Sequence, residues 1–253
     1  MRRIALKIEY DGTDFYGFQL QPDVRSVQGV LEEAVQEVTG EHSRVQGGSR
    51  TDSGAHAEGQ VAHFDTASEL PCDQLVRALN YYLPRDVAAL DAREVDGEFH
   101  SCFDACSKIY RYRVLSSPVP RPLRRRRVLR THHDIDPNIL QRCAQMAAGT
   151  RDFASFGSEV EQYDTTERTL TRSEWHRRGD ELHYVVEGDG FLYKMVRALV
   201  GTMLEVARGK YDIEQFADIF QARDRREAGP TAPAHALTLV ELHYEKPLFR
   251  GNP

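Results

Sequence analysis

A chain of 253 residues that is 40% hydrophobic and 28% charged exceeds the usual size of a single core and has enough apolar surface to bury, so disorder is excluded and two domains of about 100 to 150 residues are expected. No apolar run reaches the roughly 18 residues of a spanning helix, and MRRIALKIEYDG lacks a signal-peptide core, which reads as a soluble cytoplasmic protein with no membrane partner. The net charge of -6 speaks against a polyanion partner only until its distribution is read. Residues 101 to 130 hold Lys108, Arg111, Arg113, Arg121, Arg124, Arg125, Arg126, Arg127 and Arg130 against Asp104 alone, nine cations less one anion, or +8 in that stretch. Such a segment is either a solvated basic face or a local field for polyanions.

Residues 3 to 10 alternate, Ile4, Leu6, Ile8 and Tyr10 on one face and Arg3, Ala5, Lys7 and Glu9 on the other, as in a half-buried strand. The loop DGTDFYGFQLQP follows, with Phe15, Tyr16 and Phe18 either tucked beneath it or stacked on a ligand. Ser26 suits the N-cap of a helix with Val27, Val30, Leu31, Ala34, Val35 and Val38 inward and Gly40 at its end. A short strand near Val45 leads into GGSRTDSGAHA, residues 47 to 57, and a strand spans Val61 to Asp65. A helix over residues 73 to 83 ends before Pro84, and Val87 to Val95 form another strand. The order is β-α-β-β-α-β, a ferredoxin-like split.

After residue 105 a comparable order returns. Lys108 to Leu115 form a strand, Asp136 and Pro137 open a helix, and Leu170 to Arg177 and Glu181 to Glu187 make a hairpin around Arg178-Gly179-Asp180. Helices near Leu192 to Ala207 and Ile213 to Phe220 precede a last strand, Ala236 to Tyr244. The fold class expected is α+β: two ferredoxin-like (RRM-like) halves, residues 1–105 and 106–253, joined into one mostly antiparallel sheet with helices on one side and a central cleft. Ligands favour such clefts.

Four cysteines, Cys72, Cys102, Cys106 and Cys143, lack CxxC pairing and read as reduced thiols. Cys102 and Cys106 would join His132 and His133 around a metal only by a coincidence of fold, so no metal site is expected. Asp52 lies two residues from Arg50 in the glycine- and serine-rich loop. The cation keeps such a carboxylate ionised, which suits a nucleophile or base, although the same pair could simply pin the loop. In SKIYRYR, alternation puts Lys108, Tyr110 and Tyr112 on one face, either core or a stacking surface beside a phosphate backbone. In GDGFLYKMVR a glycine turn leads into a helix carrying Arg197, a candidate partner for a carboxylate.

These segments, with ALKIEYDGTDFYGFQLQP, SVQGVLEEA, DFASF and AGPTAPAHALTL in the same order, resemble the TruA family of tRNA pseudouridine synthases over nearly the whole chain. The resemblance implies cofactor-free isomerisation of uridine to pseudouridine in the anticodon stem-loop of tRNA, at positions 38, 39 and 40, by a homodimer. It makes Asp52 the nucleophile, Tyr110 the tyrosine that packs on the target base, Arg50 the arginine that helps to extrude it, and Arg197 the partner of the aspartate. Leu192 and Lys108 complete the expected substrate-binding set, and Arg111, Arg113, Arg124, Arg125, Arg126 and Arg127 are the expected contacts to the RNA backbone. Ser49, Ser53, Ala55 and Arg151 depart from the family pattern. A glycosidase would need a second acid near Asp52, for which Glu58 and Asp65 are nearest, and a non-catalytic RNA-binding protein would use only the basic run and the tyrosines.

Overall fold

A computed structural model describes residues 1–132 and 134–249. Two compact units emerge. One comprises residues 1–106 with the chain from Thr238 onward, and the other is Ser107–Leu237.

In the first unit the strand β1 (Arg2–Tyr10) lies between β3 (His56–Thr66) and β4 (Val87–Val95), antiparallel to both. Ile4, Leu6, Ile8 and Tyr10 are buried as expected, while of the opposite face Arg3 and Lys7 are half-buried and Glu9 is exposed but Ala5 is buried too, so the alternation is broken there. The helix α2 (Cys72–Tyr82) packs on β4, and α1 (Val27–Thr39) packs against α2. The helix α1 begins where Ser26 accepts a hydrogen bond from the Gly29 N–H and ends at Gly40, whose φ of 74° is left-handed and so favours glycine. A short strand β2 (Gln46–Gly47) pairs antiparallel with β3.

The second unit holds β5 (Ala105–Ser116), β6 (Leu129–Thr131), α3 (Pro137–Ala147), β7 (Gly149–Asp152), β8 (Glu167–Arg178), β9 (Glu181–Gly188), α4 (Met195–Ala207) and α5 (Ile213–Ala222). Antiparallel pairing runs β5 to β9 to β8 to β7, and β6 joins β5 in parallel. Arg178 faces Glu181 across a two-residue turn in which Gly179 takes φ 62°. Asp136 caps α3 ahead of Pro137, as the sequence suggested. The helix α3 packs on β8 and on α4, and α5 packs on both helices.

Two expectations change. The strand β10 (Leu237–Tyr244), read as part of the second half, pairs in parallel with β3 through Thr238 and Leu239 and so belongs to the first unit. The helix read from Leu192 starts at Met195. Lys194 holds a left-handed φ of 61°, which cannot continue a right-handed helix upstream, so Phe191, Leu192 and Tyr193 form the approach to it.

No helix among the described residues is long and apolar enough to cross a membrane. None of the four cysteines is joined in a disulfide. Within the set weighed as a metal site, His133 lies outside the described residues, and among the described residues no group of three His, Cys, Asp or Glu side chains is placed to hold a metal ion.

Candidate active site

The loop bearing Asp52 is fixed chiefly through its main chain. Its first anchor is Gln60 on β3, fully buried, whose amide accepts from the Ser49 N–H at 3.1 Å and donates to the Ser49 carbonyl at 2.7 Å. A buried amide bonded on both sides in this way specifies one backbone position. The second anchor is Tyr10, whose hydroxyl meets Thr51 Oγ1 at 2.7 Å and accepts from Gln60 Nε2 at 3.4 Å. Burial pushes the Tyr10 phenol up to about 12, against the hydrogen bonds from Thr51 and Gln60, so it stays neutral.

The third anchor is the loop after β1. Phe18 N–H donates to the Thr51 carbonyl at 3.1 Å, and Gly54 N–H donates to the Phe15 carbonyl at 3.2 Å. Phe15 and Phe18 are each 2% exposed and therefore serve as core, whereas Tyr16 between them is 60% exposed. Gly12 must be glycine, because a Cβ there would lie 1.8 Å from the Ala55 carbonyl oxygen. On this scaffold Asp52 is half-buried and Arg50 is exposed. Ser49, a departure from the family pattern, is buried with its N–H and carbonyl both held by Gln60, so a small residue is accommodated without loss of the loop's anchoring.

A second carboxylate for glycosidase chemistry does not come from Asp65. The Arg3 guanidinium holds it by two hydrogen bonds of 2.8 Å and keeps its carboxyl below the usual range.

In the second unit Tyr110 and Tyr112 share the buried face of β5, but their surroundings differ. The Tyr112 hydroxyl donates to the Pro233 carbonyl at 2.8 Å, and burial raises its pKa, so it is structural. Tyr110 meets the Phe191 ring edge-on, with centroids 5.1 Å apart, a contact the sequence did not disclose. Lys108 is half-buried opposite Gly188, and Leu192 is buried.

Arg197 lies in the first turn of α4. Its Nε donates to the Ala232 carbonyl at 2.7 Å, and its own carbonyl accepts from the Ala232 N–H at 3.0 Å. The segment AGPTAPAHA thus orients this arginine. Its close approach depends on Gly201, where a Cβ would lie 1.7 Å from the Pro230 carbonyl oxygen.

The basic run divides. Arg113 forms a two-bond pair with Glu181 at 2.8 and 3.0 Å, and Arg124 bridges Asp180 at 2.6 Å and Glu181 at 3.2 Å. Burial alone would raise the Glu181 carboxyl, yet Arg113 and His183 outweigh it and hold the acid below its ordinary range. These two arginines, expected at the RNA backbone, are already compensated at the β8–β9 turn, because strand register brings Arg113 opposite His183 and near Glu181. Arg125, Arg126 and Arg127 are exposed, and Arg111 is half-buried. Arg151, another of the departures, is exposed and donates to the Ala148 carbonyl at 3.2 Å.

The anchors of both motifs escaped sequence reasoning. Gln60 offered one signal, a polar residue within a strand otherwise buried almost throughout, since such a group must find partners. Comparison with known proteins agrees with the motifs. A family model described as tRNA pseudouridine synthase matches residues 7–104 and 143–245. The chain is 44% identical over 238 residues to tRNA pseudouridine synthase A of Halalkalibacterium halodurans, covering 94% of this chain and 90% of that one. It is 42% identical over 244 residues to the enzyme of the same name from Acetivibrio thermocellus, covering 96% of this chain and all of the relative. Chloroflexus aurantiacus has a third tRNA pseudouridine synthase A, 41% identical over 257 residues and covering 99% of this chain and 91% of the relative. With its Asp52 loop and Arg197 helix inside the matched segments, this chain belongs to the tRNA pseudouridine synthase family.

Proposed function

We propose that this protein isomerises uridine to pseudouridine in the anticodon stem-loop of tRNA, at positions 38, 39 and 40, as a cytoplasmic homodimer with Asp52 as its nucleophile. The observation that carries the reading is the Asp52 carboxylate, half-buried on a loop bolted to β3 and to the loop after β1, in a chain of this family. A nucleophile needs that fixed geometry more than a binding surface does.

A base paired in a stem is out of reach, so it must first be extruded, at a cost of a few kcal/mol. Arg50 is assigned to displace it and Tyr110 to pack on it, with Leu192 and Lys108 assigned to substrate binding; the edge-on support of Phe191 suits a ring that must stay in place. Asp52 attacks either ribose C1′, displacing N1, or the pyrimidine ring at C6, after which the N1–C1′ bond breaks. The base turns and C5 bonds to C1′, and the bond to Asp52 breaks, displaced from C1′ by C5 or eliminated from C6, so that the carboxylate is regenerated. C5 then loses its proton and N1 gains one, so uridine and product have the same composition and no electrons are gained or lost. Arg197, oriented by Ala232, supplies the positive charge that the family resemblance pairs with this aspartate. Arg111 and the exposed Arg125, Arg126 and Arg127 are assigned to backbone phosphates.

The test is a map of pseudouridine in tRNA incubated with the protein and with Asp52→Asn. The expected result is modification at the three positions by the first and none by the second, with RNA binding retained. Full activity of Asp52→Asn would sink the mechanism, and modification elsewhere would sink the site assignment.

A further inference from the structure

Tyr16 stands apart from the aromatic residues around it. Phe15 and Phe18 are each 2% exposed, yet Tyr16 is 60% exposed. Its main chain is nonetheless held on both sides. The Tyr16 N–H donates to the Arg25 carbonyl at 2.9 Å, and Gln21 Nε2 donates to the Tyr16 carbonyl at 3.1 Å. Arg25 is itself fixed, stacked over the Phe15 ring at 3.9 Å and paired with Asp86 through two bonds of 2.7 and 2.8 Å.

This braced segment runs directly alongside the Asp52 loop. Phe15 accepts from Gly54 N–H and from Ser53 Oγ, and Phe18 donates to Thr51, so residues 15–18 and 51–54 form one hydrogen-bonded assembly. Between those bonds Gly17, at φ 97°, lies so close that a Cβ would be 2.9 Å from the Thr51 carbonyl oxygen and 3.5 Å from the Asp52 carbonyl carbon. A large, flat, water-exposed ring is therefore carried on rigid backbone one residue from the closest approach to the candidate nucleophile. The core does not use it, since no ring or hydrogen-bond partner of its side chain is found among the described residues. Aromatic rings presented this way bind nucleobases by stacking, and a pre-ordered backbone lowers the entropy cost of doing so.

We propose that Tyr16 is a positioning residue whose exposed ring stacks on a nucleobase neighbouring the target uridine, so that the RNA is registered against Asp52. The inference rests on the pseudouridine synthase reading above and extends it to the recognition of the flanking nucleotide. Stacking would act in binding and registration rather than in bond making, which separates Tyr16 from Asp52 kinetically.

The test uses the full chain and an anticodon stem-loop RNA with 2-aminopurine beside the target uridine. Steady-state pseudouridine formation is followed with Asp52 intact, and fluorescence titrations use the Asp52→Asn background so that nothing turns over. Tyr16→Ala is expected to raise KM and Kd by about 5- to 20-fold, the loss of one exposed stack, with kcat changed less, 2-aminopurine quenching lost and the thermal midpoint unmoved. Tyr16→Phe and Tyr16→Trp are expected to restore the quenching. Tyr81→Ala is the control, since Tyr81 is also an exposed tyrosine, at 82%, but lies on α2 against Tyr82. If the parent protein makes pseudouridine and Tyr16→Ala matches Tyr81→Ala in KM and quenching, the stacking role is overturned while the activity stands. A fall in thermal midpoint that accounts for the loss also overturns it, in favour of a structural role. If the parent protein neither binds nor modifies the RNA, the function reading fails, and this inference fails with it.

Discussion

Gln60→Leu isolates the anchoring of the Asp52 loop from the chemistry. The replacement is close in volume and apolar, at a fully buried site, so packing changes little. What disappears is the amide that holds Ser49 from both sides, at 3.1 and 2.7 Å, together with the weaker contact to Tyr10 at 3.4 Å. The two bonds to Ser49 each strand a buried main-chain group when broken, at a cost of about 1 to 3 kcal/mol, so the anchored loop loses about 2 to 6 kcal/mol relative to an opened one. That shift favours opening by roughly 30-fold or more. The cations expected to bind RNA are untouched, so kcat should fall at least about 10-fold while KM moves by less. The assay follows from the reaction itself: C5 loses its hydrogen as it bonds C1′, so tritium placed at C5 of uridine is released to water. Hydrogen exchange at the Ser49 amide should accelerate in parallel. A kcat within twofold of the parent, with exchange at Ser49 also unchanged, would refute the argument that Gln60 organises this loop.

Three further outcomes follow from the same geometry. Gly12→Ala places a methyl 1.8 Å from the Ala55 carbonyl oxygen and should lower both the thermal midpoint and activity, because the obstacle is backbone rather than a movable side chain; an unchanged midpoint counts against that contact. His63 is pushed down to about 4, chiefly by burial and then by the charges of His100 and Arg3. With its folded pKa below the unfolded value, the unfolded chain binds the extra proton, so this residue's contribution is intact above about 6.5 and is lost as pH falls toward about 4. His183, lowered by burial in spite of Glu181, acts in the same direction, so His63→Asn should reduce but not abolish the acid-side slope of thermal midpoint against pH. Replacing Arg125, Arg126 and Arg127 by Ala should flatten the dependence of RNA affinity on salt by about 0.7 to 0.9 for each phosphate that is no longer neutralised, whereas Arg113→Ala should lower stability instead, because it leaves Glu181 buried beside one fewer cation.

The elements visible in the sequence are those whose causes are local. Alternation in β1, the Ser26 and Gly40 caps of α1, and Asp136 with Pro137 at α3 all act within a few residues of their own position. Tertiary contacts defeated the rest. Lys194 takes a left-handed conformation that no propensity favours for lysine, which delays α4 and leaves Phe191 to brace Tyr110. The parallel partner of β10 is β3, a choice that its own residue pattern does not encode. In the basic run, composition counted cations but could not tell that Glu181, far along the chain, pairs with Arg113 and Arg124. At the site, the motifs named Asp52 and Arg197, but their rigidity comes from contacts to Gln60, Tyr10 and the Ala232 carbonyl, which lie elsewhere along the chain and meet them only in the folded protein.

A structural role for the Asp52 segment and a catalytic one are not rivals once the hydrogen bonds are assigned. The main chain of Asp52 closes the turn, its carbonyl accepting from the Ala55 N–H at 3.0 Å, while Thr51 and Gly54 tie the same turn to Phe18 and Phe15. Those bonds belong to the backbone and survive a change of side chain. An amide in place of the carboxylate is nearly isosteric and keeps them all, so Asp52→Asn removes the negative charge and nucleophilic oxygen without removing the loop. Gln60→Leu does the reverse, leaving the carboxylate and loosening its mount. If catalysis requires both a nucleophile and its placement, the two variants must fail differently: the first with Ser49 still protected from exchange, the second with Ser49 exposed and Asp52 chemically intact. Loss of Ser49 protection in Asp52→Asn would mean that the aspartate side chain itself holds the turn, and the loss of activity in that variant would then say nothing about nucleophilic attack.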